Sequence, residues 1–192
     1  GGVSYGDTLG EEGTRIPAAS LILSNPPFGT KKGGGLPTRT DLTFETSNKQ
    51  FAFLQHIYRN LAAGGRAAVV LPDNVLFEGG AGETIRRRLL QECDLHTLLR
   101  LPTGLFYAQG VKANVLFFEK KPASETPWTK QLWIYDLRTN QHFTLKTNPL
   151  KREHLDEFVA LYNAANRNQR EATWSAETTD GRWRAYRYED IV

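Results

Sequence analysis

With 192 residues, 40% of them hydrophobic and 11% aromatic, the chain can bury a sizeable single-domain core and is too apolar to be disordered. No apolar run approaches the ~18 residues of a membrane span and no signal-peptide core is present, which predicts a cytoplasmic protein without a membrane partner. The net charge of +3 permits nucleic-acid contact without demanding it; the lone Cys93 excludes an internal disulfide and a thiolate metal site, and His56, His96, His142 and His154 fall at no metal-ligand spacing, so no metal is expected.

Residues 1–18 are rich in glycine and charge and read as a loop that contains Ser4-Tyr5-Gly6-Asp7-Thr8-Leu9. Residues 19–24 are predicted to be a buried strand, and it runs directly into Asn25-Pro26-Pro27-Phe28. Residues 29–47, with Lys31, Lys32 and Arg39, read as a long, flexible, basic loop. From Asn48 to Ala62, Phe51, Leu54, Ile57, Tyr58 and Leu61 recur at helical spacing, and Gly64-Gly65 reads as the cap of that helix. Arg66 to Leu71 is almost continuously apolar, as in a parallel strand covered on both faces. Pro72-Asp73-Asn74 ends it. A helix is predicted from Gly82 to Cys93, with Ile85, Leu89 and Leu90 inward and Arg86, Arg87 and Arg88 mostly outward.

Leu95 to Leu101 and Asn114 to Glu119 read as two more strands, joined by a connection short enough for an antiparallel hairpin. Alternating strand and helix with a closing hairpin predict an α/β, doubly wound sheet with an antiparallel edge. Beyond a polar connector at 121–130, the tail carries a strand (Leu132–Leu137), a helix (Leu155–Ala165) and the alternating run Arg182 to Tyr188. That run reads either as a basic–aromatic strip for nucleic acid or as an amphipathic strand with a solvated arginine face. Gly33-Gly34-Gly35 lacks the Gly-Lys-Ser/Thr of a phosphate-binding loop, and Gly79-Gly80-Ala81-Gly82 reads as a helix entry.

The chemistry concentrates at Asn25-Pro26-Pro27-Phe28. Both prolines lack an N–H and have fixed φ, and each restricts the residue before it to extended geometry. The turn is therefore stiff. It directs an amide side chain and backbone carbonyls toward one spot beside an aromatic face. Such a site can accept hydrogen bonds from a planar amino group while stacking on the ring that carries it.

This turn resembles motif IV of the N6-adenine DNA methyltransferases, and Ser4 to Leu9 resembles their motif III. Together with Leu71 to Phe77, Leu101 to Tyr107 and Gly110 to Phe118, the order of segments is similar to the modification subunit of type I restriction–modification systems. The resemblance runs from about Tyr5 to Lys121. It implies the later part of a Rossmann-like, S-adenosylmethionine-dependent methyltransferase sheet at 1–121, with 122–192 as a C-terminal extension of strand, helix and strand. It also implies S-adenosylmethionine as methyl donor, adenine N6 in double-stranded DNA as acceptor, and assembly with a specificity subunit and a restriction subunit. The modest charge fits a catalytic subunit that borrows DNA affinity from a partner.

By this resemblance the Asn25 side-chain carbonyl and the Pro26 backbone carbonyl accept the two N6 hydrogens, and Phe28 stacks on the flipped base. Asp7, Pro27 and Phe106 are candidates for the base and donor pocket; for Asp7 the alternative is a loop aspartate, and for Phe106 it is core packing. Lys31, Lys32 and Arg39 are candidate phosphate contacts, with a solvated loop as the alternative. Asp73-Asn74 is either a turn or part of the ligand edge. The family's glycine-rich donor motif lies upstream of motif III and is not found in this chain, which also begins Gly1-Gly2 and holds no methionine. It therefore reads as a piece of a longer protein that binds donor weakly or not at all by itself. Two other readings stay open from the residues: a protein-glutamine N5 methyltransferase of the release-factor type, which uses a similar turn, and a non-catalytic module that docks partners or covers DNA.

Overall fold

The computed structural model describes residues 2–28, 38–107 and 110–192. Lys31 and Lys32 lie outside these. A single six-stranded sheet runs in the order β1-β2-β4-β3-β5-β6, with β1 at Ala19–Ser24, β2 at Leu61–Pro72, β3 at Cys93–Leu101, β4 at Ala113–Lys120, β5 at Gln131–Asp136 and β6 at Trp183–Arg187. Strands β1 and β2 pair in parallel, as do β3 and β5, while β4 is antiparallel to both β2 and β3 and β6 is antiparallel to β5. It follows that β1, β2, β3 and β5 all end at one sheet edge, where β4 and β6 begin. In open α/β sheets that edge is where ligands bind.

Helix α1 (Lys49–Asn60) starts where the Asn48 side chain accepts the Gln50 N–H at 2.9 Å. It buries Phe51, Leu54, Ile57 and Tyr58, as its periodicity predicts. A short α2 (Asn74–Phe77) leads into α3 (Ala81–Glu92), which buries Ile85, Leu89 and Leu90. These side chains meet Val69, Leu71, Leu98, Leu116 and Phe118 in one core on one face of the sheet. On the opposite face, α4 (Asp156–Tyr162) lays Phe158 against Tyr135 and Trp183, in a second core with Leu99, Leu101 and Trp133. The tail thus extends the same sheet and both of its cores, with Leu132 in the first and Trp133, Tyr135 and Trp183 in the second.

Local expectations fail where burial or pairing depends on distant residues. Strand β1 is not buried: Leu21 is 52% and Leu23 73% exposed, because β1 is an edge strand and only Ile22 packs against the α1–α3 core. The antiparallel hairpin strand β4 is not at an edge. The α3 crossover sets β3 one place further out, and β4 fills the slot, pairing Leu116 with Val69 on one side and Leu98 on the other. Gly64-Gly65 does not cap α1, which already ends at Asn60. The register of β2 against β1 jumps there, from Ala19↔Leu61 to Leu21↔Arg66, and Gly64 supplies the positive φ (+71°) of the irregularity. Helix α4 stops at Asn163, which adopts left-handed geometry.

Cys93 starts β3 fully buried, and burial pushes its thiol up to about 12, so it stays protonated and inert. Among the described residues no helix is long and apolar enough to cross a membrane, and no group of three or more histidines, cysteines or acids could hold a metal ion.

Candidate active site at the carboxyl edge of the sheet

Strand β1 delivers Asn25-Pro26-Pro27-Phe28 to the carboxyl edge, immediately after Ser24. Asn25 is exposed and Pro26 buried, so the turn is seated while the amide faces outward. Among the described residues neither the Asn25 side chain nor the Pro26 carbonyl is used in a hydrogen bond. The Pro27 carbonyl is approached by the Gln50 side chain of α1 at 3.5 Å, a marginal contact that ties the turn to the helix start.

The loop after β3, Pro102 to Tyr107, reaches the same place. Phe28 and Phe106 meet edge to face, with ring centroids 5.2 Å apart and planes at 70°. Both are half-buried and both pack on the core that holds Leu99 and Trp133. Phe106 therefore packs on the core and touches the aromatic residue of the Asn25 turn. Two further aromatics on segments that leave this edge, Phe77 of α2 and Tyr107, are largely exposed.

The loop candidates fare differently. Asp7 is exposed, and its Oδ1 accepts the Leu9 N–H at 2.9 Å, so the carboxylate closes its own turn. Arg39 is only 7% exposed and is turned inward. Its guanidinium makes paired hydrogen bonds to both Asp41 oxygens at 2.8 and 2.6 Å, reaches the Thr8 carbonyl at 3.3 Å and contacts His56 Nδ1. In this structure Arg39 fastens the Asp7 segment to α1 with its guanidinium turned inward. The reason is burial of the ion pair under His56, a residue 17 positions along the chain. The hydrogen bond from Arg39 holds the Asp41 carboxyl below its usual value. Burial, with Arg39 beside it, pushes the His56 imidazole down to about 4, so the ring is neutral and its Nδ1 accepts from Arg39.

Asp73 proves to be a hub of the edge, a role its sequence neighbourhood left open. Its carboxylate accepts two hydrogen bonds from Arg138, each at 2.9 Å, and one from Asn114 at 2.8 Å. Burial pushes the Asp73 carboxyl up, but these hydrogen bonds outweigh it and keep the group below the ordinary carboxylate range. Asn114 is wholly buried and its Oδ1 finds no partner among the described residues. Arg138 and Asn114 carry no local signal, because their partners lie 65 and 41 residues away.

In the tail, β6 keeps its alternation, but the face turned into the second core carries Trp183 and Ala185. Arg184 stacks over Trp174, with its guanidinium carbon 3.4 Å from the ring centroid, and Arg187 pairs with Asp190.

The site therefore presents an exposed Asn25 and a Pro26 carbonyl, neither hydrogen-bonded among the described residues, on the turn whose Phe28 ring meets Phe106. This set fits a flat heterocycle carrying an amino group: two acceptors for its hydrogens and a ring face for its plane.

Residues 2–188 match the N-6 DNA methylase family. The chain is 49% identical over 189 residues to the type I restriction enzyme EcoKI methylase subunit of Escherichia coli, covering 94% of this chain and 35% of that protein. It is 52% identical over 166 residues to the StySJI methylase subunit of Salmonella typhimurium, covering 84% of this chain and 31% of that one. Among solved structures, the crystal structure of the EcoKI M protein superposes with a TM-score of 0.85 at 44% identity, over 96% of this chain and 43% of that chain. A modification subunit from Vibrio vulnificus gives a TM-score of 0.68 at 29% identity, over 90% and 34%. The chain thus spans about a third of the length of the curated relatives it matches.

Proposed function

The chain belongs to the N-6 DNA methylase family, and from that membership we propose that it forms part of the modification subunit of a type I restriction–modification system, an enzyme that methylates adenine N6 in double-stranded DNA. The observation that carries this reading is the outward Asn25 amide beside the Phe28–Phe106 pair at the carboxyl edge of the sheet.

Adenine N6 is a poor nucleophile because its lone pair is delocalised into the ring. In a duplex it is also paired and stacked, so the base must leave the helix. The Asn25 side-chain carbonyl accepts one N6 hydrogen and the Pro26 carbonyl the other. Two acceptors placed this way favour a more tetrahedral nitrogen with its lone pair held outward. The Pro-Pro backbone fixes both acceptors before the base arrives, so little reorganisation is needed during reaction. Phe28 stacks on the flipped base, a contact of roughly 1–3 kcal/mol, and Phe106 braces Phe28 from the side. S-adenosylmethionine supplies the electrophilic methyl group. Asp7 and Pro27 border the pocket in this reading, and Lys31 and Lys32 are proposed to meet phosphates flanking the extruded nucleotide. A specificity subunit reads the target sequence, and a restriction subunit completes the assembly.

The complete methylase, with its specificity subunit, tests the acceptor. It is given a duplex bearing that subunit's site, with the target adenine either intact or replaced by purine, which lacks the 6-amino group. Methyl transfer to the first and none to the second, with both duplexes bound, is expected. Equal transfer to both would remove adenine N6 as acceptor.

A further inference from the structure

Arg138 sits two residues beyond β5 with its side chain largely buried. Its guanidinium reaches three other strand ends at once. It holds the Asp73 carboxylate just after β2, donates from Nε to the Leu101 carbonyl at the end of β3 at 3.0 Å, and donates to the Ala113 carbonyl at the start of β4 at 3.2 Å. Its own N–H is held by Asp136 Oδ1 at 2.8 Å, and the Asp73 N–H donates to the Lys112 carbonyl at 3.0 Å. The planar five-donor fork of arginine fits this task, whereas a lysine ammonium can serve fewer of the partners.

Leu101 is the last residue before the loop that carries Phe106. A second contact from the same tail segment presses on that loop. Gly104 has φ +87°, and a Cβ there would lie 1.9 Å from the Phe143 carbonyl oxygen. Phe143 is itself buried, with its ring edge to face against His154 at 4.9 Å. The loop is thus tied at its root by Arg138 and backed at its middle by Phe143. Its far end places Phe106 against Phe28.

We propose that the segment Leu137–Phe143 is a clamp for the catalytic edge, in which Arg138 acts as a positioning residue: through Asp73, the Leu101 carbonyl and the loop backed by Phe143, it sets Phe106 as the wall of the base pocket. The proposal rests on the adenine reading given above. A polar fork that joins four strand ends adds little to either core, but it fixes their mutual register where the base must be held. Misplacement of such a wall by about 1 Å is enough to slow a reaction roughly 100-fold.

The complete methylase complex is compared with Arg138→Gln, Arg138→Lys and Gly104→Ala versions, with rates expressed per folded enzyme. Arg138→Gln and Gly104→Ala are expected to lower kcat about 10- to 100-fold while KM for DNA stays within about 3-fold, because phosphate contacts elsewhere dominate DNA affinity. Arg138→Lys is expected to recover part of the loss. Amide exchange over residues 102–106 reads the clamp without turnover and should quicken in Arg138→Gln. An unchanged kcat per folded enzyme in Arg138→Gln and Gly104→Ala overturns the proposal, as does unchanged exchange over the loop. If the unmodified complex transfers no methyl group to adenine, the adenine reading fails instead, and exchange alone decides whether the loop is clamped.

Discussion

Two buried histidines add to the sensitivity of the fold to acid, beside the hydrogen-bonded carboxylates of Asp41, Asp73, Glu92, Glu119 and Asp136. Burial, with the Arg39 charge beside it, lowers His56 to about 4; burial, with Arg167 and Arg170 nearby, lowers His96 to about 3. An unfolded histidine titrates near 6.5, so below that pH the unfolded chain binds protons that the folded chain refuses. Their contribution to stability is therefore complete above about pH 6.5 and is lost as pH falls toward 4 and then 3. Urea midpoints should fall steadily from pH 7 to pH 4, with His96→Gln flattening part of the slope; a midpoint that rises across that range would contradict the assignment. At this scale, legibility followed the range of the interaction. Asn25-Pro26-Pro27-Phe28 was readable because prolines constrain only their neighbours. Arg39 was not, because a basic residue in a polar loop looks solvated until Asp41 and His56 are folded over it. Arg138 was invisible, since nothing near it in the chain hints at Asp73.

Periodicity announces an element, and tertiary context decides what the element does. Helices α1 and α3 bury the residues their spacing selects, since each carries an apolar stripe opposite a polar one. The apolar run of β1 points to burial, yet only the face that carries Ile22 is covered, and Leu21 and Leu23 on the other face stay exposed. The place of β4 between β2 and β3 follows from a crossover, which no window of sequence contains. The alternating run of β6 reads as a nucleic-acid strip or as an amphipathic strand, and in the structure its inward side carries Trp183, fully buried, stacked on Trp133 with centroids 5.1 Å apart and flanked by the Arg170 guanidinium. It joins the last strand to α4 through Phe158. Trp183→Ala leaves a large cavity there and should cost about 3–5 kcal/mol, read as a lowered denaturation midpoint. A loss below about 1 kcal/mol would mean that β6 is not anchored by this ring.

As a whole the molecule is one sheet with unlike edges. Its carboxyl edge gathers the Asn25 turn, the Phe106 loop and Arg138 from segments more than 100 residues apart. Fold class and family were legible because a strand–helix alternation and several ordered motifs span most of the chain, and the family assignment covers residues 2–188. The tail's contribution was not legible. It has no diagnostic motif and acts on the site only through three-dimensional contacts, at Asp73, Leu101 and Gly104. In the proposed reaction the Asn25 turn activates adenine N6. The most direct measurement is N6-methyladenine in the genomic DNA of cells expressing the complete modification gene with its specificity subunit, beside the same cells carrying Asn25→Ala. Methylated adenine at the target sites in the first and its loss in the second is the predicted result, with the variant protein present at equal level and stability. Equal methylation by the Asn25→Ala enzyme would contradict the account.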